Sequence, residues 1–588
     1  MTIQANFPAI KPSLMLDFAN TKQLDSRITY TRASTASYYD GVTTSMAEQN
    51  LITQSQTFST WSSSGASVTA NTTTAPDGTS TGTSLIEFAT SANHNIFFTA
   101  GTVGLTYTQT VYAKANTRNW LKIINYLTYA NFDLTNGVIG SYNTSGVPTI
   151  TSVGNGWYRC TMSLTTSGAS YMQLSIGSGD VANYNDSYTG DGTSGIYIWG
   201  AQLENRSSAS AYTATTTQAI TNYIPKLQSA ASGVARFDNN PTTGESLGLL
   251  IEESRTNLQT YSSDYTNAIW TKTNATITAD TVVAPDGTLT GDKIVESTAT
   301  GSHRVYGNVT ATAAAYTFTF YAKAAGRNFV YAGFTTGAVQ YAYFDLVNGT
   351  VGTVDAGITS TSITSVGNGW YRCSITRTAT ATTYFPEIGT ASANGTSSFA
   401  GDGFSGVSVW GAQVELGAFA TSYIPTVASQ VTRAADSASM TGTNFSTWYN
   451  TGSGSYYVEA ATQITTGTVE AFIQDQSISI GVQGSGGNLR VSSTPAQGNL
   501  INTLGTAAYP STSKIGVSYQ QGTSLSLASG NGATAGTFTY PQSFATSFGI
   551  GTAIAGGGFG AKGITGYIKK VAYYPVALTA TNLQALTS

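Results

Sequence analysis

The chain has 588 residues with only 25 Lys and Arg and 29 Asp and Glu, so 9% of it is charged, against roughly 25% in an average soluble domain. A net charge of −4 supplies no positive surface for phosphates, which excludes nucleic acid and anionic membranes as partners. Two histidines and two cysteines are too few for a conventional zinc enzyme or a disulfide framework. One hydrophobic core cannot serve so long a chain, and we expect about three to five domains.

The first 49 residues are too short to bury their own apolar side chains. We expect them to pack with residues 216–256, so that residues 1–49 and 216–256 form one small N-terminal β unit split by an insertion. The segment 1–13 lacks the basic and apolar runs of a signal peptide, and no run of about 18 apolar residues occurs anywhere. The sequence therefore predicts synthesis in the cytosol and no membrane insertion.

Residues 50–215 and 257–432 are two copies of one module, because four motifs recur in the same order. The copies are offset by 209 residues at the first motif and by 213 at the third, which indicates that they differ by short loop insertions. In the first copy the motifs are Ala75-Pro-Asp-Gly-Thr79, Tyr112-Ala-Lys114, Gly154-Asn-Gly-Trp-Tyr-Arg-Cys160 and Trp199-Gly-Ala-Gln-Leu-Glu204, and in the second copy they begin at Ala284, Tyr321, Gly367 and Trp410.

Each copy has the pattern of short β-strands. In the run 317–323, Phe318, Phe320 and Ala322 share one face, as in a strand that covers a core. The dipeptide Asn136-Gly137 predicts a hairpin turn of type I′. Strands separated by Gly, Asn and Asp at intervals of about 8–12 residues are typical of sandwiches. We predict an all-β fold of jelly-roll β-sandwich modules in tandem, with little helix.

Residues 433–588 have a different pattern and predict a third sandwich. Runs such as 514–519 and 566–574 alternate between apolar and polar residues, as strands do. After them, Thr579 is placed to cap a short closing helix.

The strings 27–35 and 248–258 resemble the amino-terminal region of tailed-phage head-spike and tail-fibre proteins. The two modules are similar to repeats of those fibres and to carbohydrate-binding jelly rolls, and the tail is similar to laminin-G or concanavalin-like sandwiches. The resemblance implies a virion surface protein, anchored through its N-terminal unit to other head or tail proteins. It also implies a homo-oligomer, commonly a trimer, with a host cell-surface polysaccharide as ligand.

Aromatic residues that differ between the copies are our candidates for a carbohydrate-binding surface. Trp120, Lys122 and Tyr126 alternate onto one face of a strand, and Phe329 and Tyr331 occupy the matching stretch of the second copy. We expect an exposed face of this kind to bind a glycan, with Arg118 or Lys122 as a hydrogen-bond donor. The alternative is that this face packs on a neighbouring sheet or subunit.

Other recurring residues have structural explanations. Tryptophans that recur in both copies, such as Trp157 and Trp199, are predicted to lie in the core. His94 and His303 occupy equivalent positions and are predicted to be exposed turn or edge residues. Each of the two cysteines is predicted to be a small buried side chain.

A structural calcium ion is the one cofactor that the sequence suggests. Glu204 and Glu415 end apolar strands, where a late carboxylate of related jelly rolls often holds calcium with loop carbonyls. An Asp-x-Asp-x-Asp loop is absent from the sequence, and no other cofactor is expected.

These features favour a non-enzymatic structural and adhesive protein, a tail or head fibre or spike that presents β-sandwich modules to a host glycan. One alternative is a capsid or tail decoration or connector protein without a host ligand. The other is a glycan-depolymerising tail spike, since a glycosidase needs only two suitably spaced carboxylates.

Overall fold

The computed structural model describes residues 10–336, 338–379, 383–463, 469–483, 488–493, 500–501, 512–521, 526–538, 545–552 and 562–588. Over these ranges the chain forms 49 β-strands, three α-helices of four to eight residues and one 3-10 helix. The prediction of an all-β fold with little helix is confirmed.

An N-terminal segment precedes the first module, which we call module 1. The segment contains β1 (Leu14–Asp17), α1 (Phe18–Thr21), β2 (Thr29–Thr31) and β3 (Ala36–Asn50). Module 1 contains a 3-10 helix (Phe58–Thr60), β4 (Ser62–Ser64), β5 (Ala66–Thr73), β6 (Gly82–Glu87), β7 (Ser91–Ala92), β8 (Asn95–Thr99), β9 (Thr106–Ala115), β10 (Trp120–Asn125), β11 (Thr128–Asp133), β12 (Val138–Tyr142), β13 (Gly146–Gly154), β14 (Trp157–Thr165), β15 (Tyr171–Gly177), β16 (Tyr188–Thr189) and β17 (Gly195–Glu204).

A linker joins module 1 to the second module, which we call module 2. The linker contains β18 (Ile220–Ala230), β19 (Arg236–Asn239), β20 (Ser246–Ile251) and β21 (Arg255–Asn257). Module 2 contains β22 (Thr271–Thr273), β23 (Ala275–Val282), β24 (Gly291–Glu296), β25 (Thr300–Ser302), β26 (Arg304–Tyr306), β27 (Val309–Thr310), β28 (Ala315–Ala325), β29 (Phe329–Thr336), β30 (Ala338–Asp345), β31 (Thr350–Val354), β32 (Ser360–Gly367), β33 (Trp370–Thr378), β34 (Thr383–Ala391), β35 (Ser398–Ala400) and β36 (Gly406–Leu416).

The remaining elements follow module 2. They are β37 (Val431–Arg433), β38 (Ser437–Thr441), α2 (Thr443–Ser446), β39 (Ser453–Thr462), β40 (Val469–Asp475), β41 (Ile478–Gln483), β42 (Asn488–Ser493), β43 (Leu500–Ile501), β44 (Ser513–Gln520), β45 (Ser526–Gly530), β46 (Ala533–Phe538), β47 (Ser547–Ile550), β48 (Lys562–Gly563), β49 (Gly566–Tyr574) and α3 (Ala580–Thr587).

The two modules have the same strand order. Module 1 consists of the sheets β12-β11-β10-β15-β8-β4 and β13-β14-β9-β17-β6-β5, and module 2 repeats it as β31-β30-β29-β34-β26-β22 and β32-β33-β28-β36-β24-β23. The core lies between the two sheets of each module. On β28, Phe318, Phe320 and Ala322 are all fully buried, which confirms the predicted shared face.

The third sandwich combines both ends of the chain with the linker, and we call it the shared sandwich. One sheet has the order β19-β20-β49-β39-β44-β45-β46 with β1 also paired to β49, and the other has the order β2-β38-β47-β40-β41-β42-β43. Leu14 pairs with Tyr573 and Leu249 pairs with Ile568, so β1 and β20 lie end to end along one side of β49.

This arrangement corrects the predicted separation of an N-terminal unit (1–49 plus 216–256) from a C-terminal sandwich (433–588). In the described residues, strands from both segments belong to one sandwich. The reason is physical: Leu14, Leu16 and Phe18 need an apolar sheet to cover, and the tail supplies it in one continuous core. Both modules are therefore insertions into the same sandwich.

Each module is attached through a two-stranded ribbon. The first ribbon pairs β3 with β18, from Ala36 opposite Ala230 to Asn50 opposite Ile220, and the second pairs β21 with β37. The first ribbon packs on module 2, where Tyr39 and Leu227 join a buried cluster with Trp370 and Trp410. The backbone N–H of Leu227 donates to the carbonyl oxygen of Pro285 at 2.8 Å. The first ribbon, which carries module 1, is therefore held against module 2.

A network of buried charges lies where both ribbons leave the shared sandwich. Asp436 pairs with Arg32 at 3.1 Å and with Arg236 at 2.5 Å, while Glu252 pairs with Arg236 at 2.7 Å and with Arg433 at 3.1 Å. All five side chains, which we call the charge network, are at most 4% exposed. Burial alone would raise the pKa of Glu252, but Arg433 and Arg236 lower it to about 2. The network connects the points where the chain enters and leaves both modules.

Asp238 lies beside this network, and its carboxyl group makes the free energy of unfolding depend on pH. Its carboxylate accepts hydrogen bonds from the Tyr39 N–H (2.7 Å) and the Tyr567 hydroxyl (3.0 Å), but burial raises its pKa to about 6. A carboxyl group whose pKa rises on folding destabilises the folded state once it is charged. Stability therefore falls as pH rises from about 4 to 6.

We expect Asp238→Asn to remove about 2 to 3 kcal/mol of this pH-dependent change. The measurement is urea unfolding of the wild type and the variant between pH 4.5 and 7.5. Asp292 of module 2, whose pKa burial also raises to about 6, contributes the same slope to both proteins. Equal slopes in the two proteins would contradict the assignment to Asp238.

Two local predictions have different outcomes. The helix α3 begins after Thr579, whose hydroxyl accepts the N–H of Asn582 at 3.3 Å, and this confirms the predicted cap.

The hairpin between β11 and β12 also forms, but its loop has four residues (134–137) instead of a two-residue type I′ turn. Within that loop the positive φ falls on Gly137 (66°), because the Asp133 carboxylate accepts the N–H groups of residues 135 and 136 and holds a wider turn.

Candidate functional site

The predicted aromatic stripe lies on strands in equivalent positions, β10 in module 1 and β29 in module 2. On β10, Leu121 and Ile123 point into the core, so Trp120 and Lys122 share the opposite, outer face of the sheet. Trp120 is half-buried. Tyr126 lies beyond the end of β10 in a turn, with φ 55° and 41% exposure.

The prediction that Lys122 is an exposed donor is wrong. Its side chain is 0% exposed, and its Nζ donates to the carbonyl oxygens of Val181 (3.2 Å) and Asn183 (2.7 Å). The Asp186 carboxylate lies 3.5 Å away. These oxygens compensate the buried ammonium group, which is costly to bury alone. Lys122 therefore anchors the loop 178–187 over this face and does not reach into solvent.

Tyr331 is also buried, contrary to the expected exposed stripe. It is 0% exposed, and its hydroxyl donates to Glu387 Oε1 at 3.0 Å. Its partner across the sheet is Gly389, where a Cβ atom would lie 2.3 Å from the Tyr331 ring, so the absent side chain makes room for the ring. Phe329 is half-buried and packs against the same cluster. Tyr331 therefore packs among the other aromatic residues of this cluster and presents no exposed ring.

Beside Tyr331, the outer face of module 2 contains a shallow pocket of about 240 Å³, which we call the module 2 pocket. The strand β26 places Arg304 and Tyr306 on one face, and the paired strand β34 places Phe385 and Glu387 on that same face, with Tyr306 directly opposite Glu387. The pocket is lined by Arg304, Tyr306, Val339, Phe385 and Glu387.

A charged pair crosses the floor of the pocket. Arg304 Nη1 donates to both carboxylate oxygens of Glu387 at 3.0 and 3.1 Å. The Arg304 side chain is 27% exposed and the Glu387 side chain 3%, so solvent reaches Arg304 more than Glu387. Burial raises the pKa of Glu387 above its usual value, although Arg304 and the hydroxyls of Tyr331 and Tyr341 act in the opposite direction.

Two aromatic rings complete the pocket. Tyr306 and Phe385 meet edge to face with ring centroids 6.0 Å apart. The Arg304 guanidinium lies 5.7 Å from the centre of the Tyr306 ring. The Nε atom of Arg304 is buried and has no hydrogen-bond partner among the described residues. Flat apolar rings next to a charged donor and a charged acceptor are suited to a ligand with both apolar and hydroxyl surfaces.

The same positions in module 1 carry uncharged residues. The pairing of β8 with β15 matches that of β26 with β34, and it places Phe97 opposite Gln173 as Tyr306 lies opposite Glu387. Phe97 and Tyr171 also meet edge to face, with centroids 6.4 Å apart. The residues that correspond to Arg304, Tyr306, Phe385 and Glu387 are Asn95, Phe97, Tyr171 and Gln173.

Glu204 and Glu415, the candidates for calcium binding, are both fully buried and hydrogen-bonded within the protein. The hydroxyl and N–H groups of Ser210 donate to Glu204, and those of Thr421 donate to Glu415. Burial raises the pKa of Glu204. Over the described ranges, no three His, Cys, Asp or Glu side chains come together as metal ligands do. Both glutamates hold the segment that follows the last strand of their module.

The recurring tryptophans are core residues, as predicted. Trp157 and Trp370 are 1% and 0% exposed, and their Nε1 atoms donate to the carbonyl oxygens of Thr74 and Val283 at 2.9 Å. Cys160 is likewise a buried free thiol, as is its equivalent in module 2.

The prediction that the histidines are exposed is wrong. His94 and His303 are both 0% exposed. The ring nitrogens of His94 lie 2.5 and 3.1 Å from the carbonyl oxygens of Gly65 and Tyr188, and His303 has equivalent contacts. Main-chain carbonyl groups thus satisfy both rings inside the fold.

Four residues of the module 2 pocket were not predicted from the sequence: Arg304, Tyr306, Phe385 and Glu387. The available signal was period-two alternation in the two short runs 304–306 and 385–387, each too short to be noticed alone. Only the pairing of β26 with β34, which are 77 residues apart at their closest ends, brings the two runs together.

No family model and no curated protein matches the chain. Solved structures with some likeness include the CBM40 domain of a Ruminococcus gnavus sialidase bound to α2,6 sialyllactose, with TM-score 0.22, 12% identity and coverage of 25% of this chain and 88% of that one. The tandem CBM22 domains of Paenibacillus barcinonensis Xyn10C give TM-score 0.20 and 11% identity, covering 63% and 98%. The LG1-3 region of the laminin α2 chain gives TM-score 0.16 and 10% identity, and the match covers 84% of this chain and 97% of that one. Such low scores say nothing about ligand or activity.

In the described part of the chain, no helix has the length and apolar character needed to cross a membrane.

Proposed function

We propose that this protein is a non-enzymatic adhesive protein that binds a cell-surface polysaccharide through the module 2 pocket. The observation that carries the proposal is the pairing of two aromatic rings, Tyr306 and Phe385, with the ion pair of Arg304 and Glu387 in one shallow pocket. A sugar ring has apolar C–H faces that pack on aromatic rings, and hydroxyls that both donate and accept hydrogen bonds. The Arg304 side chain, which is 27% exposed, supplies a charged donor at the pocket.

The chemistry of the pocket favours binding over cleavage. Hydrolysis of a glycosidic bond generally uses two carboxyl groups about 5 to 9.5 Å apart. Among the five described lining residues, Glu387 is the one acid, and Arg304 and Tyr331 already occupy its oxygens. This supports a protein that holds a glycan intact.

The setting we propose is the surface of a phage virion, with other head or tail proteins as partners and a homotrimer as the assembled form. The resemblance of the strings 27–35 and 248–258 to head-spike and tail-fibre proteins supports this setting. A single shallow pocket binds weakly, and several copies on one particle raise the apparent affinity through effective concentration. The low charge content keeps such a surface insensitive to salt.

The experiment is binding of the purified chain to an array of neutral and acidic oligosaccharides, followed by titration of the best ligand. We expect Phe385→Ala and Tyr306→Ala each to weaken binding about tenfold, which corresponds to about 1.4 kcal/mol, because each change removes one of the two rings. The matched control is Tyr142→Ala, an aromatic residue with 47% exposure on β12 of module 1. It should bind as the wild type does.

Three results would count against the proposal. They are the absence of any retained glycan, unchanged binding by Phe385→Ala and Tyr306→Ala, and the release of new reducing ends from the polysaccharide. The last result would favour a depolymerising spike, and the first a connector protein without a host ligand.

A further inference from the structure

Module 1 has an aromatic surface at the position that corresponds to the module 2 pocket. Phe97 and Tyr171 are both half-buried and take the positions of Tyr306 and Phe385. Two further aromatic residues beside this strand pair, Tyr126 and Tyr184, are 41% and 44% exposed. The hydroxyl of Tyr171 donates to the carbonyl oxygen of Tyr126 at 3.4 Å. Module 1 therefore adds two well-exposed aromatic residues to the pair of Phe97 and Tyr171.

Tyr184 belongs to the loop 178–187, which is longer than its equivalent in module 2. Between β15 and β16 the loop has ten residues, whereas the segment between β34 and β35 has six. Burial, together with the neighbouring phenols of Tyr126 and Tyr184, raises the pKa of Tyr171. The longer loop thus carries one more phenol, Tyr184, between Asn183, which Lys122 holds, and Asn185, whose side chain accepts a hydrogen bond from Asn93 just before β8.

The loop is anchored from below by polar side chains. Lys122 donates to the carbonyl oxygens of Val181 and Asn183, and Asn183 directly precedes Tyr184. Asn131 donates to Asp180 Oδ1 at 3.0 Å and to the carbonyl oxygen of Val181 at 2.9 Å. In module 2 the residues at the positions of Lys122 and Asn131 are Tyr331 and Tyr343, which offer no ammonium group to hold such a loop.

We propose that Phe97, Tyr171 and Tyr184 form a second glycan site on module 1 that takes an uncharged sugar ring, and that Lys122 is the positioning residue that builds it. The ligand is uncharged because the uncharged Asn95 and Gln173 occupy the strand positions of Arg304 and Glu387. The positive charge of Lys122 is fully buried beneath the loop and next to Asp186. This inference rests on the proposed function and extends it to a second site with different chemistry.

The test uses the full chain with both rings of the module 2 pocket removed by Tyr306→Ala and Phe385→Ala together, and immobilised neutral hexose and N-acetylhexosamine oligomers as the probe. We expect this variant to keep a weaker residual binding that changes less than twofold between 50 and 500 mM salt. Adding Tyr184→Ala is expected to reduce the residual binding at least fivefold, because the outer ring of the site is removed.

The role of Lys122 is tested in the same background. Lys122→Met is expected to reduce residual binding as much as Tyr184→Ala does, since the loop loses its anchor, and Lys122→Arg is expected to restore most of it. If Lys122 had only a structural role, Lys122→Met would lower the melting temperature without a selective loss of residual binding. The melting temperature of each variant is therefore measured together with its binding. The control is Tyr142→Ala, which should change neither property.

The outcomes separate the two proposals. Residual binding that survives Tyr184→Ala unchanged would overturn the second site and leave the module 2 pocket intact. Residual binding that Lys122→Met leaves unchanged would overturn the positioning role. A wild-type chain that retains no oligosaccharide would overturn the proposed function and this inference together.

Discussion

Arg236→Ala is expected to lower the free energy of unfolding by about 3 to 5 kcal/mol, the typical cost of removing one partner from a buried ion pair. Arg236 is 0% exposed and pairs with both Glu252 and Asp436. It also donates to the carbonyl oxygen of Ser37 at 3.1 Å and to the Ser422 hydroxyl at 2.9 Å. Without Arg236, the carboxylates of Glu252 and Asp436 stay buried with fewer positive charges beside them. The first ribbon also loses the hydrogen bond to its Ser37 carbonyl oxygen.

Equilibrium unfolding in urea at pH 7, followed by tryptophan fluorescence and by circular dichroism, measures this effect. The matched control is Arg27→Ala, which breaks the pair with Asp25, whose two side chains are 29% and 23% exposed. A surface pair of this kind contributes at most about 1 kcal/mol. If Arg236→Ala cost no more than this control, the charge network would not stabilise the junction.

Trp370→Ala is expected to cost a similar amount, about 3 to 5 kcal/mol, as large-to-small changes of buried aromatic residues do. Trp370 is 0% exposed and packs in the cluster between module 2 and the first ribbon. Its indole N–H donates to the carbonyl oxygen of Val283 at 2.9 Å. Removal of the ring leaves a cavity at an interface, where the ribbon and the module both lose their contact.

The comparison residue for this change is Trp120, which is half-buried on the outer face of module 1. We expect Trp120→Ala to cost clearly less than Trp370→Ala in the same thermal and urea unfolding experiments. Limited proteolysis adds a local readout: the ribbon 36–50 should be cut faster in Trp370→Ala than in the wild type. Equal stability of the two variants would show that the cluster does not hold the ribbon.

Repetition made much of the fold predictable from sequence. The motifs that recur in residues 50–215 and 257–432 correspond to strands in the same positions of both modules. Alternation along β28 placed Phe318 and Phe320 correctly in the core, and the tryptophans were correctly assigned to it. These features depend on neighbours within a few residues or on direct comparison of two copies.

Long-range pairing explains what could not be predicted. Nothing within residues 14–18 indicates that β1 pairs with β49, since an isolated apolar strand fits the edge of any sheet. The side chain of Lys122 is buried by a loop 56 residues or more downstream, and alternation alone cannot show such a cover. The pocket was missed for the same reason, because its residues come from two strands that only the sheet brings together.

The pairing of Leu14 with Tyr573 has a consequence for the order of folding. Each module is a contiguous stretch whose strands find their partners nearby, so each is able to fold as it leaves the ribosome. The shared sandwich has contacts of very high sequence separation, which form slowly. The strand β1 and the start of α1, with Leu14, Leu16 and Phe18, therefore cannot pack on their sheet until β49 has been synthesised. We expect the shared sandwich to form last, after both inserted modules have folded.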